Sequence, residues 1–84
     1  MEGVAIFEKP VVIQLGRIDR DRVVVGVRDA ATLLLYEWPE NSSAREAAMQ
    51  ACLAAIKGEA SVTMARDAFV AAAQAARIYL GDLP

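Results

Sequence analysis

The stretch "ACLAAIKGEASVTMARDAFVAAAQAA", Ala51 to Ala76, constrains the fold of this chain more than any other. It is mostly alanine and other small apolar residues, divided by Gly58. At about 100° per residue, the part before Gly58 places Glu46, Gln50 and Lys57 on one narrow polar strip. Ala47, Ala48, Met49, Ala51, Cys52, Ala55 and Ile56 fill the rest of the turn. After Gly58, Arg66, Asp67, Gln74 and Arg77 mark the polar strip, and Val62, Ala65, Phe69, Ala72 and Ala76 form the apolar centre. Both apolar arcs exceed the ~100° stripe that a surface helix needs, so each helix is expected to be touched on two sides. Alanine lets helix axes approach toward the short end of the ~8–10 Å range. The pattern predicts a tight helical hairpin.

Local signals set the boundaries. Ser43 with Glu46 three residues on matches a capping box, which starts a helix from about Ala44 to Lys57, with Gly58 as its stop. Ser61 caps the next helix, expected to end near Leu80 and Gly81. Upstream, Asp29 is a plausible N-cap for "AATLLLYEW", where Ala31, Leu34, Leu35 and Trp38 share a face. Pro39 ends that helix, because the residue before a proline avoids helical geometry.

Two earlier runs read as strands. "PVVIQLG" (Pro10 to Gly16) and "RVVVGV" (Arg22 to Val27) are rich in β-branched residues and flank the polar "RIDRD". A hairpin is the simple reading, with "VAIF" (Val4 to Phe7) either extending the first strand or forming a short one before Pro10. A lone hairpin is marginal and needs helices across one face. The fold class is therefore α+β: an N-terminal antiparallel β-hairpin followed by three α-helices, ββααα, as a single small domain over 1–84.

Composition narrows the function. The apolar fraction is 56%, above the ~45–50% of ordinary domains, in a chain too short to bury it all. Surplus apolar surface points to a contact with another protein, and self-association is the first expectation. The net charge of −2, with acids and bases mixed, leaves no footprint for nucleic acid. No apolar run reaches the ~18–20 residues of a membrane span, and "MEGVAIFEKP" lacks an export pattern. A single cysteine fits a reduced, cytoplasmic setting.

Four pieces taken together resemble a known family: "KPVVIQL", "WP" at Trp38–Pro39, "AxxxCLAAIKGE" from Ala48 to Glu59, and "ARDAFVAAAQAA" from Ala65 to Ala76. Their order and spacing resemble the bacterial domain-of-unknown-function family 982 (DUF 982) across nearly the whole chain. In one place the chain departs from it. Between Pro39 and Cys52 the family tends to carry a Gly-containing loop and an aromatic residue, whereas this chain reads "ENSSAREAAMQA". The resemblance implies the α+β fold and brings no catalytic residue with it.

The candidate sites are few. Cys52 could be reactive only in an electropositive, open setting, and its alanine-rich arc favours a small buried hydrophobe. Arg66 could grip a carboxylate or phosphate, or pair with Glu37, Glu40 or Glu46. Trp38 could line a pocket, but fits better as a core lid whose ring N–H reaches a carbonyl. "RIDRDR" (Arg17 to Arg22) reads as a solvated hairpin tip. Histidine is absent, as are metal-ligand spacings, phosphate loops and nucleophile elbows, so no catalytic residue, metal or cofactor is assigned and no enzyme is expected. Two readings follow. One is a non-catalytic interaction domain acting as a homodimer, for which Ala72→Glu and Val24→Lys are the charge probes. The other is a small-molecule-binding or regulatory domain with a pocket between hairpin and helices near Trp38, Arg66 and Phe69.

Overall fold

A computed structural model describes residues 5–15, 21–39 and 41–82. The elements run β1 (Ile6–Gln14), β2 (Asp21–Gly26), α1 (Val27–Tyr36), α2 (Ser43–Ile56), α3 (Val62–Ala75) and β3 (Tyr79–Asp82). The order is ββαααβ rather than ββααα, because a third strand follows the helices and joins the sheet. The sheet is antiparallel, ordered β2-β1-β3, with β1 at its centre. "VAIF" extends the first strand: Ile6 pairs with Gly26. Val4 and the hairpin tip from Gly16 to Arg20 lie outside the described residues.

The third strand exists because α3 stops early. Ala76 caps it, and Arg77 takes a left-handed backbone with φ of 63°. The Arg77 N–H then donates to the Gln74 carbonyl and the Ile78 N–H to the Ala73 carbonyl. These two bonds form a Schellman turn, usually built on glycine. Gly58 does the same after α2 at φ of 82°, with Gly58 N–H to Ala55 O and Glu59 N–H to Ala54 O. Past Arg77 the chain turns back, and the Gln14 N–H donates to the Ile78 carbonyl at 2.9 Å.

Helix starts follow their caps. The Ser61 side chain accepts from the Met64 N–H, as its position suggested. At α2 the cap is Ser42, not Ser43: its hydroxyl accepts from the Arg45 N–H. Arg45 lacks an acceptor to answer with, so no capping box forms; its Nε instead donates to the Leu34 carbonyl at 2.8 Å, satisfying the end of α1. At α1 the cap is Gly26, and Asp29 sits within the first turn, where its charge suits the helix dipole. β2 thus runs into α1 without a loop. A side chain at Gly26 would place its Cβ 2.6 Å from the Ala5 carbonyl oxygen, the atom that accepts from the Val27 N–H.

The helices cover one face of the sheet. α3 lies against β1 and β3, α1 against β2, and α2 packs on α1 and α3. The buried core joins Phe7, Val11 and Ile13 of β1 and Val24 of β2 to Leu33, Leu34, Cys52, Phe69 and the alanines of α3. The tight α2–α3 hairpin buries Ala48 and Cys52 against Ala65, Ala72 and Ala73. Because α1 begins at Val27, its buried face is Val27, Ala30, Leu33 and Leu34; Leu35 is exposed, and Trp38 lies beyond the helix. Val24 and Ala72 are both core residues, so a charge at either would unfold the chain rather than report on a surface.

Candidate functional site

β1 does not run evenly past β2. Ile6 pairs with Gly26 and Val11 with Val24, so four residues of β1, from Phe7 to Pro10, stand opposite Val25 alone. This wide bulge suits Pro10, which has no N–H to offer a ladder. Phe7 turns inward and is buried, while Glu8 and Lys9 face solvent.

Arg66 fastens the bulge. Its Nε donates to the Lys9 carbonyl at 2.9 Å. Its Nη2 meets Asp82 Oδ1 at 2.6 Å, a close ion pair without the direction of a hydrogen bond. The Tyr79 hydroxyl donates to the same carboxylate oxygen at 2.8 Å. The partners of Arg66 are therefore on β1 and β3, not the glutamates near α1 and α2. Glu37 instead pairs with Arg22, with Nη1 to Oε1 at 3.0 Å, and Glu40 lies outside the described residues. Hydrogen bonding from Tyr79, then the Arg66 guanidinium, holds the Asp82 carboxyl below its ordinary range. The same bond pushes the Tyr79 phenol up.

Beside this clasp a cleft of about 260 Å³ opens between the bulge and the first turns of α3, with Ile6, Phe7, Val62 and Thr63 on its walls and Lys9, Arg66 and Asp67 among its charges. Arg66 is one helical turn from Phe69, but the two do different things. Phe69 is fully buried, with its ring centroid 6.4 Å from that of Phe7 and 5.4 Å from that of Trp38. Trp38 closes the core over Phe69; its Nε1 is buried and reaches no carbonyl among the described residues. So Trp38 and Phe69 form one aromatic core, and Arg66 stands at its edge facing the cleft. Cys52 is fully buried and desolvation pushes its thiol up to about 11, the state of an inert packing residue. Among the described residues no group of histidine, cysteine and acidic side chains could hold a metal. No described helix is long and apolar enough to cross a membrane.

Sequence reasoning missed the other notable surface. Among the described residues no helix covers the far face of the sheet, where Val23, Val25 and Leu80 are exposed. The signal lay in the unbroken Val23–Val25 run: successive strand residues face opposite sides, so with Val24 and Gly26 turned inward Val23 and Val25 turn out.

No curated protein matches the chain. Among solved structures, it is similar to an Agrobacterium tumefaciens protein determined by NMR as a structural genomics target, at 33% identity and a TM-score of 0.76, covering 100% of this chain and 90% of that one. The family profile described as "Protein of unknown function (DUF982)" matches residues 9–80, a span that runs from Lys9 in the β1 bulge through all three helices to Leu80 in β3, and the chain belongs to that family.

Proposed function

We propose that this chain is a non-catalytic protein–protein interaction domain that works as a homodimer in the cytoplasm, without nucleic acid or membrane as partner. The observation that carries this reading is the uncovered apolar side of the sheet. Val23, Val25 and Leu80 lie in solvent on a molecule whose core is otherwise closed by three helices. Apolar surface gathered on one face is the ordinary mark of a protein contact. Catalysis has little support: the chain has no histidine, its one thiol is sealed in the core, and Arg66 and Asp82 neutralise each other. The lone cysteine suits a reducing compartment.

The experiment is light-scattering mass on a sizing column across a concentration series. Mass rising toward twice the chain mass supports the reading, and a monomer at every concentration refutes it. The cleft beside Arg66 favours a second reading, a small-molecule-binding or regulatory domain. A metabolite screen by NMR would support it through shifts confined to the Lys9, Thr63 and Arg66 amides. Shifts in none of them would remove it.

A further inference from the structure

The charges around the cleft alternate. Each wall carries an acid beside a base: Glu8 and Lys9 on the β1 bulge, Arg66 and Asp67 on α3. Arg66 is engaged, since its guanidinium holds the Lys9 carbonyl and the Asp82 carboxylate. The side chains of Glu8, Lys9 and Asp67 are exposed, and none makes an ion pair or a hydrogen bond among the described residues. Lys9 and Arg66 both act on the single acid Asp82, so the clasp end of the cleft keeps an excess of positive charge. Glu8 and Asp67 supply an excess of negative charge to the same small space.

That mixture selects against a ligand of one sign. In a cleft this small, an anion held at Lys9 also meets the carboxylates of Glu8 and Asp67. A cation held at Asp67 also meets Lys9 and the positive end of α3. A molecule carrying both charges a few bonds apart meets neither penalty. Between the charges the lining is apolar: Ile6 is 57% exposed, and Val62 is only partly covered. Apolar walls with a few convergent polar groups are the ordinary make-up of a small-molecule site.

Resting on the small-molecule-binding reading, we propose that the cleft takes a free aliphatic α-amino acid, with its carboxylate at Lys9, its ammonium at Asp67 and its hydrocarbon side chain on Ile6 and Val62. Glu8 strengthens the acidic side. Size agrees with this. An apolar cavity of about 150 Å³ holds a benzene ring. By that measure the cleft of about 260 Å³ holds about ten non-hydrogen atoms, the size of a leucine molecule and smaller than a peptide. The charged groups stand in solvent, which screens them, so binding is weak and weakens further with salt.

Three probes test the assignment: L-leucine, N-acetyl-L-leucine, which lacks the ammonium, and L-leucinamide, which lacks the carboxylate. Each is titrated to high millimolar concentration into the isotope-labelled chain, at fixed pH and ionic strength, and followed by amide NMR. L-Leucine should shift the Lys9, Thr63 and Arg66 amides along a saturating curve, and the two singly charged probes should bind about fivefold more weakly or less. Asp67→Asn should weaken L-leucine by about fivefold without weakening N-acetyl-L-leucine, and Lys9→Gln should weaken L-leucine without weakening L-leucinamide. Both positions are exposed, so amides away from the cleft should stay in place in either variant. L-Leucine that binds no better than the singly charged probes, or that moves none of the three amides, overturns the assignment. The metabolite screen separates that failure from failure of the broader reading. A metabolite of single charge that shifts the same amides keeps the small-molecule reading and overturns the amino-acid assignment. A screen in which nothing moves them, L-leucine included, removes both.

Discussion

Arg77 and Gly58 perform the same turn with opposite chemistry, and exchanging that chemistry gives a signed prediction. Both sit one residue past a helix cap with positive φ, 63° and 82° respectively. An L-residue in the left-handed region costs about 1–2 kcal/mol relative to its preferred conformations. Glycine avoids that cost but loses about 0.4–1 kcal/mol through its freer unfolded state. Arg77→Gly should therefore stabilise the fold by about 0.5–1 kcal/mol, raising the melting temperature by roughly 2–8 °C for a domain of this size. The Arg77 side chain makes no ion pair or hydrogen bond among the described residues, so nothing offsets the gain. Gly58→Ala should lose about the same amount, since an added Cβ there meets nothing within 4 Å and only the backbone strain counts. Arg77→Ala is the control: it keeps a Cβ and should leave the midpoint unmoved. Urea melts of the four proteins at fixed pH provide the assay. If Arg77→Gly is neutral or destabilising while Gly58→Ala costs the expected amount, the left-handed turn at Arg77 is not there.

Three further outcomes follow from the same geometry. Gly26→Ala should cost about 1–3 kcal/mol, as overpacking does, because its Cβ would meet the Ala5 carbonyl oxygen at 2.6 Å; a chain that melts like wild type would rule out that close approach. The Asp82 clasp should be pH-sensitive on both sides. Its lowered carboxyl adds stability above the ordinary carboxylate range, lost as pH falls through the folded value. The raised Tyr79 phenol adds stability that is lost as pH rises through its own folded value. Protection of the β3 amides relative to their intrinsic exchange rates should be greatest between those limits and fall outside them in wild type, and show less pH dependence in Asp82→Asn. Cys52, with its thiol pushed up to about 11, should react with a disulfide reagent only at the rate of global unfolding; rapid labelling of the native protein would contradict its burial.

The parts of this fold legible in the sequence were those written by adjacent residues. Ser61 and Gly58 punctuate the helical hairpin where their chemistry demands it, and the alanine arcs announced the α2–α3 packing. The cysteine was rightly placed within the apolar arc. What failed depended on distance. Arg66 finds Lys9 and Asp82, which no local pattern links to it. β3 was hidden because Arg77 enters a glycine conformation without being glycine, leaving the helical period apparently unbroken to Leu80. The Ser43–Glu46 spacing pointed one residue too far along: the cap is Ser42, and Arg45, three residues after it, reaches across to the end of α1. Gly26 looked like a strand residue, and only the approach of Ala5 explains why it had to lack a side chain.

The central place of β1 between β2 and β3 also bears on how quickly the chain reaches its native state. β1 and β2 are neighbours in sequence, so their pairing closes a short loop. β3 pairs with the same strand across nearly the whole length of the described chain, Val11 opposite Asp82. Closing that large loop removes more chain entropy, so it is favoured only after α3 has brought the two strands together. Docking of β3 is then a late event, on the native side of the barrier. Changes in β3 such as Leu80→Ala should steepen the escape from the folded state while leaving the rate of its formation nearly unchanged. A stopped-flow chevron in which only the unfolding limb moves would show that the last strand to join the sheet is the first to leave it.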